Sequence, residues 1–343
     1  MCPATLGSPG RQRRVTSPNT KSSAHRRAEN RARGEERPHP RTRARPIHPG
    51  ASYKVTRRCL ERRLFLAPGR EPEKIANFIG YCLAHTANMY GIEIHAAVMM
   101  SNHYHIDVTD PHGQLASWKQ SFNSLVARGL NALRPRFDSF WSGDGPCDTL
   151  RPSDDETFMD LVYTLTNPVK AGLVKWARGW PGFTTAQWRF GETRSFRRPD
   201  WFFDQKGDMP EEVSLTLVRP RIFVELDDDA LYDKLVAAVR DAEIRAQSEL
   251  RAKGRRFKGL PKLAKQAWYR APVSVEQRFR LRPKVAASST WLRLVQLQRD
   301  RMWERAYVMA REAWLAGDRH VVFPAGTYWL RRFAGVAVGQ RPP

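Results

Sequence analysis

The chain has 343 residues, 41% of them hydrophobic, enough for one large buried core or two ordinary ones. Its 58 Lys and Arg against 35 Asp and Glu give a net charge of +23, far from what an enzyme of small soluble metabolites needs, and call for a polyanionic partner. No run of about 18 apolar residues and no signal peptide is found, so neither membrane insertion nor export is indicated and a cytoplasmic protein is expected. The cysteines Cys2, Cys59, Cys82 and Cys147 are scattered without paired spacing, which argues against a zinc knuckle or a disulfide framework.

Residues 1–50 hold 12 Lys and Arg against 3 acids, are rich in Pro, Ser and Gly, and almost lack branched or aromatic residues. Such a segment cannot bury enough surface to offset its ordering entropy, so a disordered basic arm is expected. The remaining chain still carries 46 basic residues against 32 acidic ones. A domain over 51–190 should open with a short strand at Tyr53-Lys54-Val55-Thr56-Arg57. A helix starting near Glu71-Pro72 follows, with Ile75, Phe78, Ile79, Cys82 and Leu83 on one face. Two β-type runs, Ile92 to Met100 and His103 to Val108, are separated by Ser101-Asn102 and should pair as a hairpin. A second helix runs from about Gln114 to Leu133, ended by Pro135. Phe137 to Arg151 is consistent with a further strand and an irregular loop. A third helix opens at Ser153-Asp154-Asp155-Glu156 and should stop near Asn167, because Pro168 disfavours helical geometry in the residue before it.

This βαββαβ order predicts an α+β domain, a ferredoxin-like antiparallel sheet with helices on one face. Residues 191–343 should form a basic, mainly helical C-terminal extension. Its first part is irregular, punctuated by Pro199, Pro210 and Pro220, and helices are expected over Asp228 to Leu250 and about Thr290 to Ala316. Between them, residues 251–284 hold 12 Lys and Arg against the single acid Glu276, with Phe257, Trp268, Tyr269 and Phe279 interleaved. That combination suits single-stranded nucleic acid, and equally a solvated charged linker with a few packed rings. The Trp-rich final helix is expected to be a packing element.

The chemistry concentrates at His103-Tyr104-His105. In a strand, residues i and i+2 share a face, so both imidazoles project together while Tyr104 points the other way. Two imidazoles on a rigid strand can hold a divalent ion whose open positions polarise a phosphate. Tyr163 and Asn167 lie four residues apart, on one face of the third helix. Asn167 offers an amide oxygen as third ligand and Tyr163 a hydroxyl that can attack phosphorus. The same residues also fit a core-edge aromatic and a helix N-cap before proline. His95 and His112, as lone histidines, read as a satisfied core group and a loop residue.

Met99-Met100-Ser101-Asn102-His103-Tyr104-His105 resembles the Met-Pro-Asn-His-x-His segment of the HUH single-tyrosine transposases. Tyr163-Thr164-Leu165-Thr166-Asn167-Pro168-Val169-Lys170-Ala171-Gly172-Leu173-Val174 is similar to their Tyr-(x)3-Asn-Pro-Val-Arg-Ala-Gly-Leu-Val segment, especially in the REP-associated branch. The first strand also resembles theirs, and together these segments cover residues 53 to about 190. The resemblance implies that His103, His105 and Asn167 bind metal, that Tyr163 is the nucleophile and that Mg2+ or Mn2+ is the cofactor. It implies as partner a single-stranded DNA hairpin, inverted-repeat or REP-like, and as activity a transposase that cuts and rejoins DNA through a 5′-phosphotyrosine. It also implies nucleoid association and action as a monomer or homodimer. Ser101, Lys54 and Tyr104 depart from the family pattern, where Pro, His and an aliphatic residue are common. The alternative is a non-catalytic, domesticated nucleic-acid-binding protein on the same fold.

Overall fold

Alternation of polar and apolar residues along four strands gives one sheet two unlike faces, and this asymmetry organises the molecule. The structure, a computed structural model, describes residues 44–273 and 283–339. The expected basic arm as far as residue 43, with Glu276 and Phe279, lies outside the described residues. Strands β1 (Ala51–Arg58), β2 (Glu93–Met99), β3 (His103–Asp110) and β4 (Cys147–Arg151) lie in the order β2-β3-β1-β4. Every pair is antiparallel, the expected ferredoxin-like arrangement. Lys54 stands opposite Asp107, Thr56 opposite His105 and Arg58 opposite His103. That register stacks the polar side chains on one face and Tyr53, Val55, Tyr104, Ile106 and Val108 on the other.

Helices α1 (Pro72–Tyr90) and α2 (Leu115–Leu133) cover the apolar face. The stripe expected for α1 is buried at Ile75, Phe78, Ile79, Cys82 and Leu83, and α2 buries Leu115, Trp118, Phe122, Val126 and Leu130. The two helices approach so closely that a Cβ on Gly129 would lie 2.1 Å from the Phe78 ring, so this contact requires glycine.

Helix α3 (Asp154–Lys170) lies on the opposite, polar face. Its start matches expectation: Ser153 caps it, its hydroxyl accepting from the Glu156 amide. Its end does not, because the helix continues through Pro168 to Lys170 rather than stopping near Asn167. Proline forfeits one amide bond, and in a last turn few bonds remain to lose. The Ala171 amide still reaches the Asn167 carbonyl at 2.9 Å, and the Leu173 amide reaches that of Pro168 at 2.9 Å. Burial of Pro168 and Val169 holds the turn. Asn167 therefore sits inside a helix and caps none.

Beyond residue 190 the stretch expected to be irregular contains a hairpin, β5 (Thr193–Arg197) with β6 (Glu212–Thr216). It covers the outside of α1, where a Cβ on Gly80 would meet the Phe196 ring at 2.2 Å. Helix α4 (Asp228–Ala252) packs along α3, a short α5 (Leu260–Ala264) follows, and α6 (Thr290–Leu315) completes the expected pair of long helices. The second packs as expected through Tyr307, on which Trp303 stacks at 5.5 Å, but its buried side is partly polar. It buries Tyr307 and Ala310 beside the polar Gln296 and Asp300, and Asp300 holds the His48 imidazole at 2.8 Å. With the buried side partly polar, Trp291 (72% exposed), Leu294, Met302 and Met309 face solvent. Among the described residues no helix is long and apolar enough to cross a membrane.

His95, at the irregularity in the β2–β3 pairing, is a satisfied core histidine. A carbonyl can only accept, so Nδ1–H donates to Val218 O at 2.8 Å, and Nε2 accepts from the Thr109 hydroxyl at 2.8 Å. Burial lowers its pKa to about 4. Below the ordinary histidine value near 6.5, the unfolded chain therefore takes up a proton that the folded chain refuses until about pH 4. Folding stability should fall as pH drops through that window, by on the order of 3 kcal/mol from this group. Urea unfolding of the parent and of His95→Gln between pH 7 and 4 checks this, because the variant should lose stability less steeply across the window.

Candidate active site

Two elements carry the expected residues. Strand β3 presents His103 and His105 on the polar face, with ring centroids 4.9 Å apart and planes nearly perpendicular. Helix α3 crosses above and sets the Tyr163 ring edge-on to His105 at 5.4 Å. Asn167, one turn further along the same helix face, is buried. Tyr163 is 41% exposed, which sets it apart from a core-edge aromatic, and among the described residues its hydroxyl makes no hydrogen bond.

The tautomer of His103 follows from its neighbour. The Asn102 amide nitrogen donates to Arg62 O at 3.0 Å, which turns its oxygen toward His103 Nδ1 at 2.8 Å. That oxygen only accepts, so Nδ1 carries the hydrogen and Nε2 keeps the lone pair. Both ring nitrogens of His105 are buried without a hydrogen-bond partner. Burial pushes His103 down to about 4, with Arg58 and Arg62 adding to the effect. Burial, then His103 and Lys54, hold His105 well below its ordinary value. Both imidazoles are therefore neutral near pH 7, the protonation state a metal ligand needs. Among the described residues no group of three His, Cys, Asp or Glu could hold an ion. A third protein donor must come from another residue type, and the Asn167 amide oxygen is of that kind.

Beneath Tyr163 lies a buried charge cluster that the motifs do not reveal. The Lys54 ammonium donates to Thr164 Oγ1 at 2.9 Å and to the Asp160 carbonyl at 3.3 Å, both on α3. It stands 3.4 Å from the Asp160 carboxylate and 3.7 Å from that of Asp107. Arg151 of β4 also pairs with Asp160. Burial raises the Asp107 carboxyl to about 6, opposed by Lys54. The same ammonium lies 4.5 Å from the centre of the Tyr163 ring, and Lys170 lies 4.8 Å from it. Two ammonium groups thus lie against the Tyr163 ring. Asp107 has a sequence signal, since it extends the period-two series His103, His105. Asp160 and Thr164 share the helical face of Tyr163 and Asn167.

Tyr104 is no rival to Tyr163. It is fully buried on the apolar face, its hydroxyl donating to Asn123 Oδ1 at 3.0 Å and its ring edge-on to Phe122 and Trp141. Burial raises its pKa, so its phenolate is disfavoured. Of the rings interleaved in the basic segment, Phe257 and Trp268 pack against the interior, Trp268 against Phe65 at 6.3 Å, while Tyr269 is 51% exposed. His112 lies in the loop before α2, as expected.

No family model matches the chain, and no curated protein matches it. Solved structures do. A REP-associated tyrosine transposase bound to a REP hairpin is 19% identical, with a TM-score of 0.35, over 41% of this chain and 80% of its own. A Deinococcus radiodurans R1 protein assigned as a transposase is 15% identical, with a TM-score of 0.23, over 28% of this chain and 75% of its own. Both of these structures are described as transposases, and each similarity covers less than half of this chain.

Proposed function

We propose that the protein cuts and rejoins single-stranded DNA with Tyr163 as nucleophile and a divalent ion held by His103, His105 and Asn167, acting as a transposase of the single-tyrosine HUH type. The observation that carries this reading is the convergence, on the polar face of one sheet, of two neutral imidazoles and a half-exposed tyrosine with a free hydroxyl. The buried, unpartnered nitrogens of His105 support a ligand role, because such a group is costly to leave without a partner. The donor set fits a divalent ion: three neutral donors leave its charge to be met by phosphate. Mg2+ takes oxygen donors, so the two imidazoles favour Mn2+. When bound, the ion polarises the scissile phosphate and neutralises charge that develops there.

In the reaction, Tyr163 Oη attacks phosphorus in line and gives up its proton. The bond from phosphorus to the 3′ oxygen breaks, and that oxygen leaves with the electron pair and takes up a proton. The products are a 5′-phosphotyrosine and a free 3′-hydroxyl, with phosphorus still in a diester. Attack by a 3′-hydroxyl reverses the step, so rejoining needs no nucleotide cofactor. Lys54 and Lys170 supply cationic surroundings, and the contacts of Lys54, on β1, with Thr164 and Asp160 hold the tyrosine's helix against the sheet. A hairpin-forming strand is the proposed substrate, in a nucleoid setting, with the protein a monomer or homodimer.

With Mn2+ and a labelled hairpin oligonucleotide, the parent should form an adduct that survives a denaturing gel. Tyr163→Phe should abolish it, a loss of at least a thousandfold, while hairpin binding persists. Adduct formed equally by the variant would remove Tyr163 from the role, and salt-dependent binding with no adduct from the parent would favour a binding protein without catalysis. A second expectation concerns the partner that fixes the His103 tautomer. Asn102→Ala should weaken Mn2+ binding in calorimetry by roughly tenfold to a hundredfold and leave metal-free DNA binding unchanged.

A further inference from the structure

Helix α4 lies outside the segments that resemble the transposase family, yet it forms one wall of the cleft into which Tyr163 opens. The cleft, of about 600 Å³, runs between α3 and α4. Its cations are Lys170 from α3 and Arg245, Lys253 and Arg255 from α4 and the turn after it. Among the described residues, none of the four is within 4 Å of a carboxylate. Of its two acids, Asp160 is already engaged by Arg151 and Lys54, which leaves Glu249 against four cations. Lys170 has a lowered pKa, from burial first and then from Lys54 and Arg245, as expected where positive charge is under-compensated.

The wall is fixed to the segment that follows the tyrosine helix. The Lys258 and Gly259 amides donate to Gly172 and Leu173 carbonyls at 2.9 and 3.0 Å, Glu243 accepts from the Ala177 amide at 2.6 Å, and Gln247 donates to Lys175 O at 2.8 Å. Arg245, Lys253 and Arg255 are exposed and free to meet a ligand. Arg245 and Lys253 are eight residues apart, about 12 Å along the helix axis.

Resting on the strand-cutting reading above, we infer that this cleft is a track for the sugar–phosphate backbone of single-stranded DNA flanking the scissile phosphate, with Arg245, Lys253 and Arg255 neutralising successive phosphates. The C-terminal extension thereby positions the strand over Tyr163. Guanidinium forks suit phosphate oxygens, and the contacts carry no base information.

The test is fluorescence anisotropy of a labelled single-stranded oligonucleotide, titrated at several salt concentrations with EDTA so that no cleavage intervenes. The combined variant Arg245→Ala, Lys253→Ala, Arg255→Ala should bind at least tenfold more weakly, with a slope of log affinity against log salt shallower by about 2, from ~0.7 per phosphate on single strands. Arg245→Lys with Arg255→Lys should keep the parent slope. A control of equal charge, Arg293→Ala, Arg301→Ala, Arg305→Ala on α6, should bind as the parent does. Parent-like affinity and slope in the cleft variant, or an equal loss in the α6 control, would overturn the track. If the parent forms its adduct and only the cleft variant fails to differ, the track alone falls. If the parent neither binds nor forms adduct, both readings fall, and binding that depends on the cleft without adduct from the parent leaves the track standing and removes the cleavage.

Discussion

A buried ammonium is the constraint on which the site depends. Lys54 sits in the middle of the central strand, on the face where β1 and β3 stack polar side chains. A lysine there must be satisfied by whatever covers it, because a desolvated, unpaired charge costs several kcal/mol. Helix α3 supplies its hydrogen-bond partners, with Thr164 Oγ1, the Asp160 carbonyl and the Asp160 carboxylate within 2.9 to 3.4 Å, while the Asp107 carboxylate of β3 lies 3.7 Å away. The position and rotation of α3 over the sheet are thereby tied to one atom. Tyr163 lies between Asp160 and Thr164 in sequence, so the contacts that satisfy Lys54 also fix where the tyrosine stands over His105.

The two faces of the sheet divide the work. On one, α1 and α2 bury a continuous apolar layer, rigid enough that glycine is required where they touch. On the other, imidazole, carboxylate and ammonium are packed at low exposure, with Lys54 within 4 Å of the Asp107 and Asp160 carboxylates. Burial there lowers both histidines' pKa values, which keeps the imidazoles neutral, and raises that of Asp107.

Much of the sheet domain was legible in the sequence because each signal there is local. Period-two alternation placed His103 and His105 together and turned Tyr104 away, and helical spacing placed Tyr163 with Asn167. What failed to show were features set by tertiary packing. Pro168 reads as a stop, but the helix passes it because its last turn is buried and needs few further bonds. Glu212–Thr216 alternates, with Val213 and Leu215 buried, yet its partner Thr193–Arg197 is nearly all polar, and neighbouring prolines mask the hairpin. The cluster under Tyr163 joins residues about a hundred positions apart, and only the register of Lys54 with Asp107 brings it into being.

The C-terminal extension changes what the motif-bearing domain can be. Without α4 and α5, Val169, Val174 and Ala177 would lack the cover that Ala246 and Leu263 give them. A small apolar cluster therefore does two jobs: it closes the interior at the end of the tyrosine helix, and it carries a row of cations to the edge of the site. Because the apolar contacts face inward at 242, 246 and 250, helical periodicity leaves 245, 249 and 253 along the cleft. Packing and charge are thus placed by one amphipathic pattern. A change that shifted the register of α4 on α3 would move both together, which makes the extension part of the site's architecture.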